Sequence, residues 1–269
     1  MNNPYIPYIK IPELLNLKSD DTLLICSDIT KLAITAIRTE KKFDPTEFIL
    51  TFKKHIYAGT ILFPAFINKY KKNNIFDLKH SIPQTGSLSL SAFHHPDFIR
   101  TNDPFHSFMV SGKHSDKLSQ LKNTSTFGSD SVFAFLHKMK GKMLLIDIDL
   151  QHSFTFVHYV EEFEKVKYRK FKKHTIDCIL SNGLKETRTM YFFKKRKGVM
   201  LNINGLYKLF KEKGVLNEYC INNSLFTIID LDKSFDIIQQ DIQFNHAKNL
   251  QKFSYKKWMK EFIKTFYLQ

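Results

Sequence analysis

The segment TFVHYVEE places His158 three and four residues ahead of two carboxylates, Glu161 and Glu162. On a helix, residues at that spacing share a face. One carboxylate can then accept the proton of one imidazole nitrogen and leave the other nitrogen as a lone-pair base, which is how a neutral histidine is set up for general-base chemistry. The same spacing also describes a packed core histidine beside two solvated glutamates, so on its own it is weak. IRTNDPFHSFMVSG holds Arg100, Asp103, His106 and Ser107 around a proline ahead of an apolar strand, a pattern that suits a pocket wall or an ordinary turn. In STFGSDSVFAF, the residues Phe127, Gly128, Ser129 and Ser131 sit where a loop meets a helix start. Free backbone N–H groups at such a start attract a phosphate or a carbonyl, although most such junctions bind only water.

Common signatures of other chemistries are missing. The chain has no GxxxxGK[ST], GxGxxG, HExxH or GxSxG, which removes P-loop hydrolysis, dinucleotide redox chemistry, zinc proteolysis and the usual serine hydrolases as first readings. No metal site is expected.

The elements that must position these residues read as α/β. TLLICSD is a strand, and FDPTEFILTFKKHI a helix capped by Asp44, with Pro45 in its first turn and Glu47 completing a capping box. GTILFPAFI is a buried strand, and residues 71–107 read as loop-rich, punctuated by Pro83, Gly86, Pro96 and Pro104. SDSVFAFLHKM is a helix with Ser129 as its cap, KMLLIDID a strand, and TFVHYVEEFEKV a helix. VKYRKF, HTIDCIL and TRTMYFF follow as antiparallel strands. NGLYKLFKEKG is a helix stopped at Gly214, SLFTIIDL a strand, and SYKKWMKEFIKTFYL a closing amphipathic helix. The expectation is one domain over residues 1–269: a central mixed β-sheet flanked by helices, with a small antiparallel lobe.

Bulk properties fit a globular protein. Of 269 residues, 43% are hydrophobic and 25% charged, and 26 Phe against 9 Gly predict an aromatic core. The net charge of +15 attracts anions: nucleic acid, lipid headgroups or phosphorylated small molecules. The densest basic run holds Lys165, Lys167, Arg169, Lys170, Lys172 and Lys173, followed by Lys194, Lys195, Arg196 and Lys197, and reads as solvated strand faces. No recognised nucleic-acid motif accompanies it, so no nucleic-acid partner is expected. Three scattered cysteines without CxxC, no signal-peptide pattern and no apolar run of membrane length point to a cytoplasmic chain that does not engage membranes.

In this order, the segments resemble the aminoglycoside 3-N-acetyltransferase (antibiotic N-acetyltransferase) family, from about residue 14 to about 238. DDTLLICSDI is similar to the family's first strand and the loop after it, AGTILFPAF to its second strand, and IPQTGSLSLSAF with FIRTNDPFHSFMVSG to its helix start and Arg, Pro, His, Ser segment. STFGSDSVFAFLHKMKGKMLLIDIDL resembles its FG loop, helix and strand, and FTFVHYVEE its Thr, His and Glu helix. The resemblance implies an acyl-CoA-dependent N-acyltransferase. The donor, acetyl-CoA or another short acyl-CoA, would lie against Ser27, Asp28, Ile29, Lys31, His106, Ser107, Phe127, Gly128 and Ser131. His158 and Glu161 would be catalytic, with Thr155, Glu162 and His152 toward the acceptor. The chain departs from the family pattern where His152 and Phe154 stand for an Asp and an Asn, where residues 147–149 replace glycines, and where Cys26 and Ser27 replace His-Ser.

The implied chemistry is direct transfer in a ternary complex: His158 takes a proton as the amine attacks the thioester. General-base help of this kind is worth about 10²- to 10⁴-fold in rate, and holding the reactants together adds more. Cys26 as a nucleophile is set aside, because it falls in a predicted strand. Charge orders the acceptors. Aminoglycosides are polycations and want carboxylates, whereas a chain at +15 suits an amino sugar linked to a nucleotide. That nucleotide-linked sugar is the expected acceptor, an aminoglycoside the alternative, and a basic nucleic-acid-binding module the reading from another class. The protein is expected as a monomer or homodimer.

Overall fold

The computed structural model describes residues 4–67 and 75–266. A short helix α1 (Ile11–Leu14) leads into β1 (Thr22–Ser27), α2 (Thr30–Glu40), α3 (Pro45–His55) and β2 (Thr60–Pro64). Next come β3 (Ile75–Asp77), α4 (Ser87–His94), β4 (Ile99–Arg100), β5 (Phe108–Gly112), α5 (Ser115–Ser119), α6 (Val132–Lys138) and β6 (Lys142–Ile146). Two short helices, α7 (Leu150–Ser153) and α8 (Val157–Phe163), precede a long ribbon of β7 (Arg169–Ile179) and β8 (Lys185–Lys195). The chain continues through β9 (Val199–Leu201), α9 (Leu206–Glu212), β10 (Leu216–Ile221), β11 (Ser224–Asp230), α10 (Leu231–Asn245), β12 (Gln251–Phe253) and α11 (Tyr255–Phe266).

Seven strands form one mixed sheet in the order β10-β11-β6-β1-β2-β5-β4. The middle three, β6, β1 and β2, run parallel, and the flanking pairs are antiparallel. A strand covered on both faces needs apolar side chains on both, which is why TLLICS is an unbroken apolar run. Its side chains alternate between two cores. Leu24 and Cys26 join the cluster with Phe133, Val157, Phe210 and Phe235 on one face. Leu23 and Ile25 join Leu32, Phe48, Phe52 and Leu88 on the other. Because β1, β2 and β6 are parallel, their carboxyl ends, Ser27, Pro64 and Ile146, lie along one edge, the place where open α/β sheets build sites.

The lobe is a separate three-stranded sheet, β3-β7-β8. Its β7–β8 ribbon is antiparallel as expected, but β3 joins it in parallel, so the lobe is mixed. VKYRKF and HTIDCIL do not form two strands; one strand runs continuously from Arg169 to Ile179. A two-stranded pair, β12 and β9, lies apart.

Other expectations change in detail. α2, β10 and α10 stand outside them, although α10 has a readable start: the Asp230 side chain caps Lys233 N, and Leu231, Phe235 and Ile238 repeat on one buried face. Residues 71–107 contain β3, α4 and β4 rather than loop alone, while 71–74 lie outside the described residues. The cap of α6 is Ser131, whose Oγ accepts from Ala134 N, and not Ser129. Asp44 caps α3 as expected, but Glu47 does not close a capping box. Its carboxylate is taken by the Tyr8 hydroxyl and by Lys42. Gly214, at φ 64°, occupies the left-handed conformation that follows α9. Among the described residues, no helix is long and apolar enough to cross a membrane.

Candidate active site

A cleft of about 690 Å³ opens at the carboxyl edge of the parallel strands. Cys26 and Ser27 from the end of β1, Asp28, Ile29 and Thr30 at the start of α2, and Pro64 and Phe66 after β2 form one part of its wall. His106, Ile148, His152, Thr155 and His158 form another. Its size suits a small-molecule site.

His158 stands on the first turn of α8, its side chain 21% exposed and turned to the cleft. Behind it Glu161 is sealed off, 0% exposed. His158 Nδ1 lies 2.7 Å from Glu161 Oε2, and Arg169 Nη2 lies 2.7 Å from that same oxygen and 2.9 Å from Nδ1. Three polar atoms in one triangle cannot all share protons. The guanidinium only donates, and a carboxylate is a far stronger acceptor for it than a neutral imidazole. Arg169 therefore donates to Glu161, and so does Nδ1–H. That leaves Nε2 of His158 as the lone-pair nitrogen.

The charges agree with this assignment. Burial, and then the cation of Arg169, hold the His158 pKa below its ordinary value against the opposing pull of Glu161, so the ring is neutral near pH 7. Burial pushes the Glu161 carboxyl up, but hydrogen bonds and charge from His158 and Arg169 outweigh it and keep the group ionised. Arg169 also donates Nη1 to Phe193 O at 2.8 Å, which ties the base of the ribbon to the site. The basic run thus contains one residue that is not a solvated strand face: Arg169 is 7% exposed. Eleven positions separate it from His158, and no local spacing rule reports the pair.

A column of rings continues from His158. Its ring meets Phe127 edge-on at 5.3 Å, Phe127 meets His106 at 5.3 Å, and His106 meets Phe66 at 4.6 Å between centroids. Burial and the neighbouring His158 hold His106 down at about 4 against the charge of Asp103, so it too is neutral. Asp103 presents this ring: its Oδ1 accepts from the N–H groups of Phe105 and His106 at 2.8 Å each, and Asn123 donates to Oδ2 at 2.7 Å.

Of the expected site residues, Ser27, Asp28, Ile29, His106, His152, Thr155 and His158 meet in the cleft. Lys31 does not line it. It lies in an adjoining hollow with Thr30, Arg38 and Asp147, where its ammonium sits 4.0 Å from Asp147. Ser107 is fully buried, accepting from Arg100 Nε and donating to Ala65 O, so it serves the scaffold. Phe127 reaches the cleft only as a ring behind His158 and His106. Gly128 and Ser131 stand further back, and their N–H groups are bonded within the loop, Gly128 N to Ser125 O and Ser131 N to Gly128 O. A Cβ at Gly128 would meet Asp130 and Ser125 at 3.0 and 3.2 Å. Glu162 is buried away from the cleft and accepts from Ser125 Oγ at 2.8 Å. Burial raises its pKa. Cys26 lines the cleft, but burial pushes its thiol up to about 12, which removes the thiolate a nucleophile needs. Among the described residues, no cluster of His, Cys, Asp and Glu has the makings of a metal site.

A mixed sheet whose edge cleft is lined by a carboxylate-oriented histidine is an arrangement that can support general-base chemistry. The family profile described as aminoglycoside 3-N-acetyltransferase matches residues 39–243. The chain belongs to this family, and is an acyl-CoA-dependent N-acyltransferase. Its fold is that of AAC-IIIb in binary complex with CoASH (15% identity, TM-score 0.74, 89% of this chain and 97% of that one). It is likewise similar to the YokD protein from Bacillus subtilis (17%, 0.74, 92% and 97%) and to AAC-VIa bound to sisomicin (13%, 0.75, 91% and 100%). Comparison with curated protein sequences yields no match.

Proposed function

We propose that the protein transfers an acetyl group from acetyl-CoA to the amine of an amino sugar, with His158 as general base. The observation that carries this reading is the committed Nδ1 of His158: with that nitrogen donating to a buried Glu161, Nε2 is the basic atom on a ring that lines the cleft. The amine nitrogen attacks the thioester carbon, the C–N bond forms and the C–S bond breaks. The proton lost by nitrogen passes to Nε2 and on to the departing thiolate. Ser27 to Thr30, where β1 gives way to the first turn of α2, supply the wall for the donor, and Thr155 and His152 the wall for the acceptor.

The comparisons favour an aminoglycoside as acceptor, since relatives of the fold hold sisomicin and a gentamicin. A specific observation favours a second reading, an amino sugar carried on a nucleotide. Asp28 is the only carboxylate among the described residues lining the cleft, where a polycation would want several. The test is acetyl-CoA consumption by the purified protein with a panel of aminoglycosides and nucleotide-linked amino sugars, wild type beside H158A. Turnover that survives H158A at wild-type rate refutes the mechanism. Turnover with drugs alone selects the aminoglycoside.

A further inference from the structure

The β7–β8 ribbon carries a cationic face that the catalytic reading does not use. Residues directly opposite in an antiparallel pair point to the same side, as do residues two apart on one strand. The register Lys170↔Lys194, Lys172↔Phe192 and His174↔Met190 therefore puts Lys170, Lys172 and Lys194 on one face with His174 and Phe192. At Phe192 that face packs against a residue of the cleft wall. The Phe192 ring lies 6.5 Å from the ring of His106, which lines the cleft, and 4.4 Å from Phe105. Lys194 Nζ stands over Phe192 at 5.8 Å, and His174 packs edge-on to Phe192 at 5.0 Å.

The arrangement costs stability. Lys170 and Lys194 are like charges directly opposite, an unfavourable cross-strand pair. Among the described residues, no carboxylate lies within ion-pair distance of Lys170, Lys172 or Lys194. Burial and the neighbouring Lys172 hold Lys194 below its ordinary pKa, and burial with both lysines does the same to His174. The Nε2 of His174 is buried with no hydrogen-bond partner among the described residues. Lys172 and Lys194 act on His174, Lys170 lies directly opposite Lys194, and a phosphoryl group would neutralise this uncompensated charge.

We propose that Lys170, Lys172, Lys194 and His174 form a subsite for the phosphoryl group of a reactant in the cleft, and that this reactant is the acceptor, a phosphate-bearing amino sugar. The proposal rests on the amino-sugar N-acyltransferase reading and decides between its two acceptors. Phosphoryl groups also occur on coenzyme A. The hollow of Thr30, Lys31 and Arg38 adjoins the cleft at Asp28 and Thr30, however, whereas the ribbon reaches it at His106, so the chain offers a separate cationic surface for the donor.

The experiment has two arms, each with K172A/K194A, the milder K172Q/K194Q, and K185A/K213A as a control for net charge, with thermal unfolding to confirm folding. Calorimetric titration with uridine diphosphate, at saturating coenzyme A, is expected to show about tenfold weaker binding in the first two variants and none of that loss in the control. In steady-state kinetics with a uridine-diphosphate-linked amino sugar, the KM for acceptor rises about tenfold while kcat and the KM for acetyl-CoA hold. A rise confined to acetyl-CoA, no change at all, an equal loss in the control, or tighter binding of a single-stranded oligonucleotide than of uridine diphosphate overturns the proposal. If no amino sugar is acetylated by the wild type, the functional reading fails, while the titration still judges the lysines.

Discussion

Arg100 and Arg169 are 5% and 7% exposed, and each guanidinium sits beside a histidine-bearing segment, yet they are put to different uses. Around Arg100 the partners are Ser107 Oγ and the carbonyl oxygens of Ala65 and Ser81, so the charge staples β4 to the turns after β2 and β3. Around Arg169 the main partner is an ionised carboxylate that also holds an imidazole. The first cluster is closed on itself. The second carries an imidazole that lines the cleft. A buried arginine therefore indicates scaffolding or chemistry according to whether a titratable group at its edge still faces a cleft.

That contrast can be broken by substitution. The largest effect is expected from H158A: a fall in kcat/KM of about 10²- to 10⁴-fold in a protein that still folds, with a stability loss of about 1–3 kcal/mol from the hydrogen bond taken from buried Glu161. Steady-state kinetics and a thermal melt check both halves. Next, E161Q or R169Q strands a buried charge, and urea unfolding should show each costing about 3–5 kcal/mol, with the double variant costing well under the sum. R100M should lose about 1–3 kcal/mol for each carbonyl left unpaired, yet keep its kcat at temperatures where it is folded. If R100M abolishes kcat in a folded protein, the division between the two arginines is wrong.

Smaller effects sharpen the same comparison. A base must be unprotonated to act, so kcat/KM should be level near pH 7 and fall only on acidification, with an apparent pKa below the ordinary 6.5 of histidine. R169Q removes the cation that lowers this value and should move the acid limb to higher pH. E161Q removes the anion that raises it and should move the limb lower. A pH–rate profile that ignores both substitutions excludes His158 as the titrating base. The smallest change is expected from E162Q: burial already raises the pKa of Glu162, and the amide can still accept from Ser125, so stability and pH profile should barely move.

Much of the scaffold was readable along the chain. Continuous apolar runs at residues 22–27 and 142–146 mark strands buried on both faces, and Asp44 with Pro45 marks the start of α3. The spacing of His158 and Glu161 announced their hydrogen bond, since three residues make most of a helical turn. Ser107, Gly128 and Ser131 came from their places in an ordered set of motifs, and such an order does not say which way a side chain points. Glu162, beside Glu161, shows the limit: one residue rotates the carboxylate about 100° around the helix, and only packing decides which of the two sits behind the imidazole.

Local spacing determined many of the helices and strands and the histidine with its carboxylate, because helix and strand periods are properties of neighbours in sequence. The third member, Arg169, the column of rings from His158 through Phe127 to Phe66, and the lysine face of the ribbon were decided by the tertiary structure. Each joins segments whose approach depends on how the ribbon packs against the sheet's edge. Contacts of that kind follow from the burial of whole faces, and no single stretch of chain encodes them.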